Sequence, residues 1–492
     1  MLNFKVRLGP TGALLAGLLL SVGPGAAQGR RSMSQSEIIR QVLAATEPLQ
    51  FPRGDRLPLY VWVLTGVGTD DDAEAEAILR ELDARGLAVI APWHPARREQ
   101  TLAEGLRLAR LQQRLGLPIT INATACLYSF FNGDPATFHL ADDGTPFFDD
   151  SFSPRRKMGC PFTLQPRIPI IREQVEFFLR AYQAEGLSID FIFADWEIDG
   201  PLEWNEAWAA SKRCRRCREN IPNLEDFRAF QQALRALRSD LQREVFAEPV
   251  KARFPQAMVG NYAVYPHGGY RYWYDYFEQE PPPEVPCLID RRARYRPWAH
   301  EFARTGYTCA MPVVYTWYRL FNWYDFDQPD YRWFYNLLLV GSNAGQHTPA
   351  KVPLISFVHW HTTSPPKEPD PSVKQFSAEK YQELLWHLLL RGHDTFFLWC
   401  PREETAEEVR LVHQVYAAAL EFREFLDRGE PVTFAVPPQP GPVVSGLRLG
   451  DRVLVRRTDF EDTRGPVTLT VEGRRLGVSR VEGRCQVLRL EG

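Results

Sequence analysis

The sequence predicts an α/β protein: a (β/α)8 TIM barrel with a small C-terminal antiparallel β-domain. Three observations predict it. Eight short apolar runs alternate with helical patterns between Pro58 and Arg428, the alternation that builds a parallel sheet wrapped in helices. The runs are continuously apolar, as strands buried on both faces are. After Arg428 the pattern changes to short runs separated by turn residues, which suits antiparallel strands. A doubly wound sheet is the alternative. Against it, the count closes at eight and no glycine-rich phosphate loop follows the first strand.

Residues 1–27 read as a signal peptide. Lys5 and Arg7 form a basic start, Ala13 to Val22 an apolar stretch too short to span a bilayer, and Gly25-Ala26-Ala27 a small-residue cleavage site. An uncleaved N-terminal anchor is the other reading. The expectation is a secreted or periplasmic protein with no later membrane segment. Residues 28–57 are a polar lead-in with one helical pattern, Ser34 to Leu49. Residues 58–428 are expected to form the barrel, and 429–492 a β-sandwich-like domain.

Strand one is Leu59 to Leu64. Its helix, Thr69 to Arg85, opens on Asp70-Asp71-Asp72, which suits the positive end of a helix, and stops at Gly86. Strand two is Leu87 to Trp93, followed by a helix from about Glu99 to Leu115 that Gly116 and Pro118 stop. Strand three, Ile119 to Ala125, leads into an insertion (about Cys126 to Arg167) and a helix from Ile168 to Glu185. Strand four begins at Ile189 and runs out through Asp195-Trp196-Glu197-Ile198-Asp199-Gly200. A second insertion, Pro201 to Pro222, precedes a long helix from Asn223. Strands five to eight are Ala257 to Val264, Cys309 to Tyr315, Pro353 to Trp360 and Asp394 to Cys400, with helices at about 288–305, 328–341, 377–391 and 405–426. The C-terminal runs are Val432 to Val436, Val443 to Leu449, Arg452 to Phe460, Val467 to Val471 and Gln486 to Leu490.

The 492 residues leave room for one large and one small domain. A formal net charge of -3 gives no reason to expect nucleic acid or an anionic membrane as partner. The expected partner is a glycan and the expected state a monomer. Eight cysteines occur, two of them as Cys214-x-x-Cys217 in a basic stretch. A zinc site would want a second such pair, and there is none. A local disulfide or free thiols are therefore expected, with no metal and no other cofactor.

Barrel enzymes carry their chemistry at the C-terminal ends of the strands. Those ends offer Trp93 and His94 on strand two, Asn122 and then Tyr128 after strand three, and Asp195, Glu197 and Asp199 on strand four. Strand five offers Asn261, Tyr265 and His267, strand six Tyr315 and Trp317, strand seven His359, Trp360 and His361, and strand eight Trp399. Aromatic residues crowd the loops from Tyr265 to Tyr276 and from Tyr315 to Tyr335, with Trp204 and Trp208 after strand four. Flat amphipathic rings suit the faces of sugars, so a sugar-binding cleft is expected; packing of the loops onto one another is the bland alternative.

Paired carboxylates at strand ends suggest glycoside hydrolysis. Strands five and seven carry no carboxylate, so those of strand four lack an evident partner across the barrel. Asp195 and Glu197 are two apart and point to one face, with Cα atoms roughly 6–7 Å apart. That geometry suits substrate-assisted catalysis. Glu197 protonates the leaving oxygen, the 2-acetamido group of the substrate attacks the anomeric carbon, and Asp195 orients that amide. Trp399, Asn261, Tyr265, Trp317, His359, Asp199 and Trp93 are the expected substrate-binding residues.

Asp195-Trp196-Glu197 resembles the strand-four signature of family 18 chitinases, DxxDxDWE, with Asp190 at its first Asp. The middle Asp position is Phe193, a departure that removes the residue sharing protons with the next one in that family. The family's acetamide-contacting tyrosine would fall on Tyr315 and its platform tryptophan on Trp399. Family 56 hyaluronidases share the mechanism and lack the middle Asp. Their strand is similar to this one, with Pro201-Leu202 following Glu197, although the characteristic Trp-Arg-Pro is missing here. The resemblance implies a retaining glycosidase acting on a 2-acetamido glycan. Three other readings stand beside it: a metal-dependent hydrolase using His94, His267, His359 and His361, a non-catalytic sugar-binding barrel, and an Asp195–Glu197 pair that is merely buried and satisfied.

Overall fold

The computed structural model describes residues 33–127, 133–153, 155–163, 165–196, 207–271, 279–280, 294–295, 299–315, 323–324, 326–361 and 374–490. Eight strands form one parallel sheet: β1 (Leu59–Thr65), β2 (Leu87–Pro92), β3 (Thr120–Asn122), β4 (Phe191–Ala194), β5 (Met258–Asn261), β6 (Val313–Val314), β7 (Ile355–Val358) and β8 (Thr395–Leu398). Their order is β6-β7-β8-β1-β2-β3-β4-β5, with β1 paired to both β2 and β8.

β5 and β6 end the ladder, yet the chain around them is joined. Thr308 N donates to Val259 O at 2.9 Å, and Ala263 N to Met311 O at 3.0 Å. Val259 N donates to Thr308 Oγ1 at 2.9 Å. The sheet therefore curls until its two ends meet. Gly260 permits the approach, because a Cβ there would lie 2.6 Å from Cys309 Sγ.

Both faces of the sheet are buried, as the continuous apolar runs predict. Tyr60, Ile90, Phe191, Phe193, Met311, Phe357 and Phe397 fill the inner side. The alternate residues, among them Val61, Val89, Ile192, Ala194, Val358 and Leu398, pack outward. The helices of that outer layer are α1 (Gln35–Ala45), α2 (Asp72–Asp83), α3 (Arg98–Leu115), α4 (Arg167–Ala184), α5 (Phe227–Gln242), α6 (Ala299–Thr305), α7 (Pro329–His347), α8 (Ala378–Leu389), α9 (Thr405–Ala419) and α10 (Arg423–Arg428). α2 opens where the acidic run predicts, with Asp71 Oδ1 accepting from Glu74 N at 2.8 Å. α3 stops at Gly116, whose φ is 68°. Among the described residues no helix is long and apolar enough to cross a membrane.

The C-terminal part is antiparallel. β9 (Glu430–Pro431), β10 (Val443–Leu449), β11 (Arg452–Thr458) and β14 (Cys485–Arg489) form one sheet, and β12 (Val467–Val471) pairs with β13 (Arg474–Val478). Leu469, Val471, Leu476 and Val478 of that hairpin pack on Val453 and Val455. β13 goes beyond the predicted runs. Its signal is the two-residue turn Glu472-Gly473, with φ of 50° and 77°, the positive-φ pair that tight hairpins need.

The cysteines correct one expectation. None of the seven described ones is in a disulfide, so Cys214 and Cys217 do not form the local disulfide.

Candidate active site

The strand register carries a row of inward-facing residues to the C-terminal rim. Ala194 pairs with Asn261, and Val358 pairs with both Val314 and Leu398. One residue further, Asp195 stands beside Tyr262, and Tyr315, His359 and Trp399 stand side by side. Side chains alternate along a strand, and Phe193, Val313, Phe357 and Phe397, two residues earlier, face the interior. The Tyr262 and Tyr315 hydroxyls share a hydrogen bond of 2.9 Å. The Tyr315 and Trp399 rings stack with centroids 5.9 Å apart, and His359 meets both edge-on. The predicted Asp195, Tyr315, His359 and Trp399 thus share one rim. Tyr262 belongs there too and was not anticipated.

Asp195 is 2 % exposed. Its backbone N–H donates to Thr124 Oγ1 at 2.8 Å. Its Oδ1 is buried and has no hydrogen-bond partner among the described residues. Burial pushes the carboxyl up to about 7. The surface below is apolar: Phe193 lies against Phe397 (4.8 Å between centroids), Phe191 and Trp62. The position that is acidic in chitinases is therefore part of an aromatic floor, which favours the neutral carboxyl. Asp190 sits at the opposite end of the strand, accepting from Ile119 N at 2.7 Å.

Glu197, Asp199, Trp317 and Tyr128 lie outside the described residues. The residue before Glu197 is firmly held. Trp196 N donates to Asn261 Oδ1 at 2.9 Å, and Trp196 O accepts from Asn261 Nδ2 and Arg238 Nη2, each at 3.3 Å. Gln242 Oε1 accepts from Asn261 Nδ2 and from the Tyr307 hydroxyl, both at 2.9 Å. Asn261 therefore corrects its expected role: its amide points away from the interior and grips the strand-four backbone. Trp93 is a second correction. Its ring stacks on Phe178 of α4 at 5.0 Å and meets Tyr182 edge-on, between sheet and helix. Tyr265 is buried in the outer core, its ring 5.3 Å from that of His267.

The turn and helix after β8 bring carboxylates to the β7 histidines, which the sequence did not reveal. Glu408 of α9 is fully buried and accepts from Trp360 N at 2.8 Å and from the Tyr381 hydroxyl at 2.7 Å. Burial pushes it up to about 8. His359 Nδ1 lies 3.7 Å from it. Glu404, one-third exposed, lies 3.5 Å from His361 Nε2 and 4.0 Å from His359 Nε2. Burial raises its pKa. Burial and the neighbouring His361 bring His359 down to about 3, so it is neutral near pH 7. Of the four strand-end histidines, His359 and His361 come into ring contact. Among the described residues, the one group of three or more His, Cys, Asp or Glu with ligating atoms within reach of a single ion lies in the insertions and includes none of these four histidines.

Several loop aromatics pack rather than line a cleft, which corrects part of the sugar-binding expectation. Trp208 donates to Leu224 O at 2.7 Å and packs on Phe227. Trp333 donates to Lys374 O at 2.8 Å. The Tyr331 and Tyr335 hydroxyls reach Phe460 O and Gly441 O in the C-terminal part, at 2.6 and 2.9 Å.

No protein-family model and no curated protein matches the chain. Solved structures with a similar course include alpha-L-fucosidase isoenzyme 2 from Paenibacillus thiaminolyticus, at 11% identity over 75% of this chain and 50% of that one, TM-score 0.42. GH36 alpha-galactosidase AgaA from Geobacillus stearothermophilus shows 11% identity over 92% of this chain and 58% of that one, TM-score 0.43. A cyclomaltodextrinase shows 12% identity over 90% and 73%, TM-score 0.41. The chain spans 50% and 58% of the lengths of the first two.

Proposed function

We propose that this chain is an exported glycoside hydrolase, built as a complete (β/α)8 barrel, that cleaves a 2-acetamido glycan with retention of configuration. The observation that carries the reading is Asp195. It is a buried carboxyl at the end of β4, with an oxygen that no described group satisfies, on a rim shared with Tyr262, Tyr315, His359 and Trp399. Buried unsatisfied polar groups are costly, and functional sites are where they persist. Strand parity would put Glu197, two residues on, on the same face. It gives its proton to the leaving oxygen while the acetamido oxygen closes on the anomeric carbon. Asp195 accepts from the amide N–H, and Tyr315 donates to the acetamido group. Water then attacks the cyclic intermediate, with Glu197 as base. The Trp399 ring serves as the platform for the sugar.

The test is a screen of acetamido and non-acetamido glycans, recording the anomeric configuration of the first product. Retention on acetamido substrates is expected. Inversion, or cleavage confined to substrates without the acetamido group, overturns the mechanism. Glu197→Gln should bind the glycan and not cleave it; binding without cleavage by the wild type would leave a sugar-binding barrel.

A second reading rests on Glu404. It places a partly exposed carboxylate after β8, 4.0 Å from His359 Nε2 and 3.5 Å from His361 Nε2, so an acid pair drawn from opposite sides of the sheet is available. A Glu404→Gln loss as deep as that of Glu197→Gln would favour this direct two-carboxylate scheme over substrate assistance.

A further inference from the structure

Two insertions, one after β3 and one after β4, meet, and four buried side chains converge between them. His139 and Cys160 come from the insertion after β3, Cys214 and Cys217 from the one after β4. Their ligating atoms all lie within 4.8 Å of one another. Cys160 Sγ is 3.6 Å from Cys217 Sγ and 3.8 Å from Cys214 Sγ. A disulfide needs about 2.05 Å. With Zn–S bonds of about 2.3 Å, the corners of a tetrahedron lie about 3.8 Å apart. His139 Nδ1 is buried and has no hydrogen-bond partner among the described residues. We propose that His139, Cys160, Cys214 and Cys217 form a structural zinc site.

The local chain is shaped for it. Cys214 caps the helix Arg215–Asn220 and Cys217 lies three residues on, a spacing that puts both thiols on one helix face. Cys160 N donates to Thr137 O at 2.6 Å. Gly159 lets that approach happen, since a Cβ there would fall 2.3 Å from Thr137 O. The His139 ring stacks on Phe147 of the neighbouring short strand, with centroids 5.0 Å apart.

The charges also fit. One Zn2+ displaces three thiol protons, so three thiolates and a neutral imidazole leave a net charge of -1 on the complex. The basic stretch around the CxxC surrounds it. Arg216 donates to Phe138 O at 2.6 Å, Arg213 lies over the Phe147 ring, and Arg218 pairs with Asp142. Four protein ligands leave no open position, so the ion is structural rather than catalytic. It ties the insertion after β3 to the insertion after β4. The assignment is independent of the glycosidase reading and stands if no glycan is cleaved.

The test uses the full chain, expressed with zinc and purified without chelator. About one zinc per chain is expected by elemental analysis, released as a mercurial titrates the cysteines. Cobalt exchange should give thiolate charge-transfer bands and the intense visible bands of a tetrahedral site. Cys214→Ser and His139→Ala should lose the metal, whereas Cys126→Ser, a buried cysteine outside the cluster, should keep it. Because the first two variants can fail to fold, the wild-type zinc content and cobalt spectrum decide independently. Folded wild type with no zinc and no cobalt bands overturns the assignment. So does a disulfide mapped among Cys160, Cys214 and Cys217, or full zinc retention by both ligand variants.

Discussion

Asn261 holds Trp196 by both of its backbone groups, one end of its amide accepting and the other donating. Trp196 is the residue between Asp195 and Glu197. The grip therefore fixes the backbone immediately before the proposed acid. Gln242 and Tyr307 brace the amide from behind. Asn261→Ala removes the grip and leaves buried groups without partners. The expected cost is about 1–3 kcal/mol of stability. Misplacing a catalytic group by about 1 Å can cost about 100-fold in rate, so kcat should fall by about 10- to 100-fold with KM little changed. Steady-state kinetics beside a thermal melt tests this; a loss confined to KM would place Asn261 at the substrate instead.

Asp195 predicts a stability that depends on pH. Its carboxyl titrates at about 7 in the folded chain and near 3.9 when unfolded. Below about pH 4 both states hold the proton. Between about pH 4 and pH 7 the unfolded chain loses it first, so stability falls as pH rises, and above about pH 7 the loss is complete. About three units correspond to roughly 4 kcal/mol. Asp195→Asn removes this contribution. Its melting temperature relative to wild type should climb from pH 4 to pH 8. Glu408 shifts in the same direction, but it is common to both proteins and cancels in the difference. A flat difference would mean that Asp195 is ionised in the fold.

The strand count and the place of Asp195 at the end of strand four were legible because both rest on short-range pattern. Continuous apolar runs mark doubly buried strands, and residues two apart share a face. The same parity, carried one step further, separates the rim residues from the others. Ala88 and Ile90 face inward while Val89, Ala91 and Trp93 face outward, so Trp93 could not reach the interior. On β5 it turns Asn261 outward and Tyr262 inward. Glu404 and Glu408 stayed hidden because they lie beyond the last strand, on a turn and a helix whose docking depends on tertiary packing. The thiol cluster stayed hidden for a different reason. Cys214-x-x-Cys217 was visible as a pair, but Cys160 is 54 residues before Cys214 and His139 further still, each alone in its stretch, so no second ligand pair could be read.

Glu408 offers a test of the β7 rim. Its Oε1 accepts from both the Trp360 N–H and the Tyr381 hydroxyl, and its Oε2 accepts from the Trp360 N–H at 3.0 Å, in a site closed to water. Glu408→Gln keeps the shape and one acceptor, and should cost about 1–2 kcal/mol. Glu408→Ala leaves both donors unpaired beside a cavity and should cost about 3–5 kcal/mol. Chemical denaturation of the pair measures the gap. Equal losses would show that the acceptors do not matter.

Arg391 links the helices around the parallel sheet to the C-terminal sheet. It is wholly buried, and its guanidinium donates to Ser445 Oγ at 2.7 Å, Ser342 Oγ at 2.5 Å and Ala435 O at 2.9 Å. Burial pulls its pKa down to about 9. Beside it, His387 bonds Ser445 and Thr458 at 2.7 and 2.9 Å. The three acceptors diverge, and only a planar fork meets them together. Lysine keeps the charge but concentrates it at one point. Arg391→Lys should therefore cost about 2–4 kcal/mol, from two acceptors left unpaired and a buried charge less well shared. Because the contacts join two parts of the chain, the loss should appear first as loosening of the C-terminal sheet. Limited proteolysis should release a fragment beginning near residue 429 from the variant at protease levels that leave wild type intact. A variant that melts lower while resisting cleavage there would place the cost within the barrel rather than at the junction.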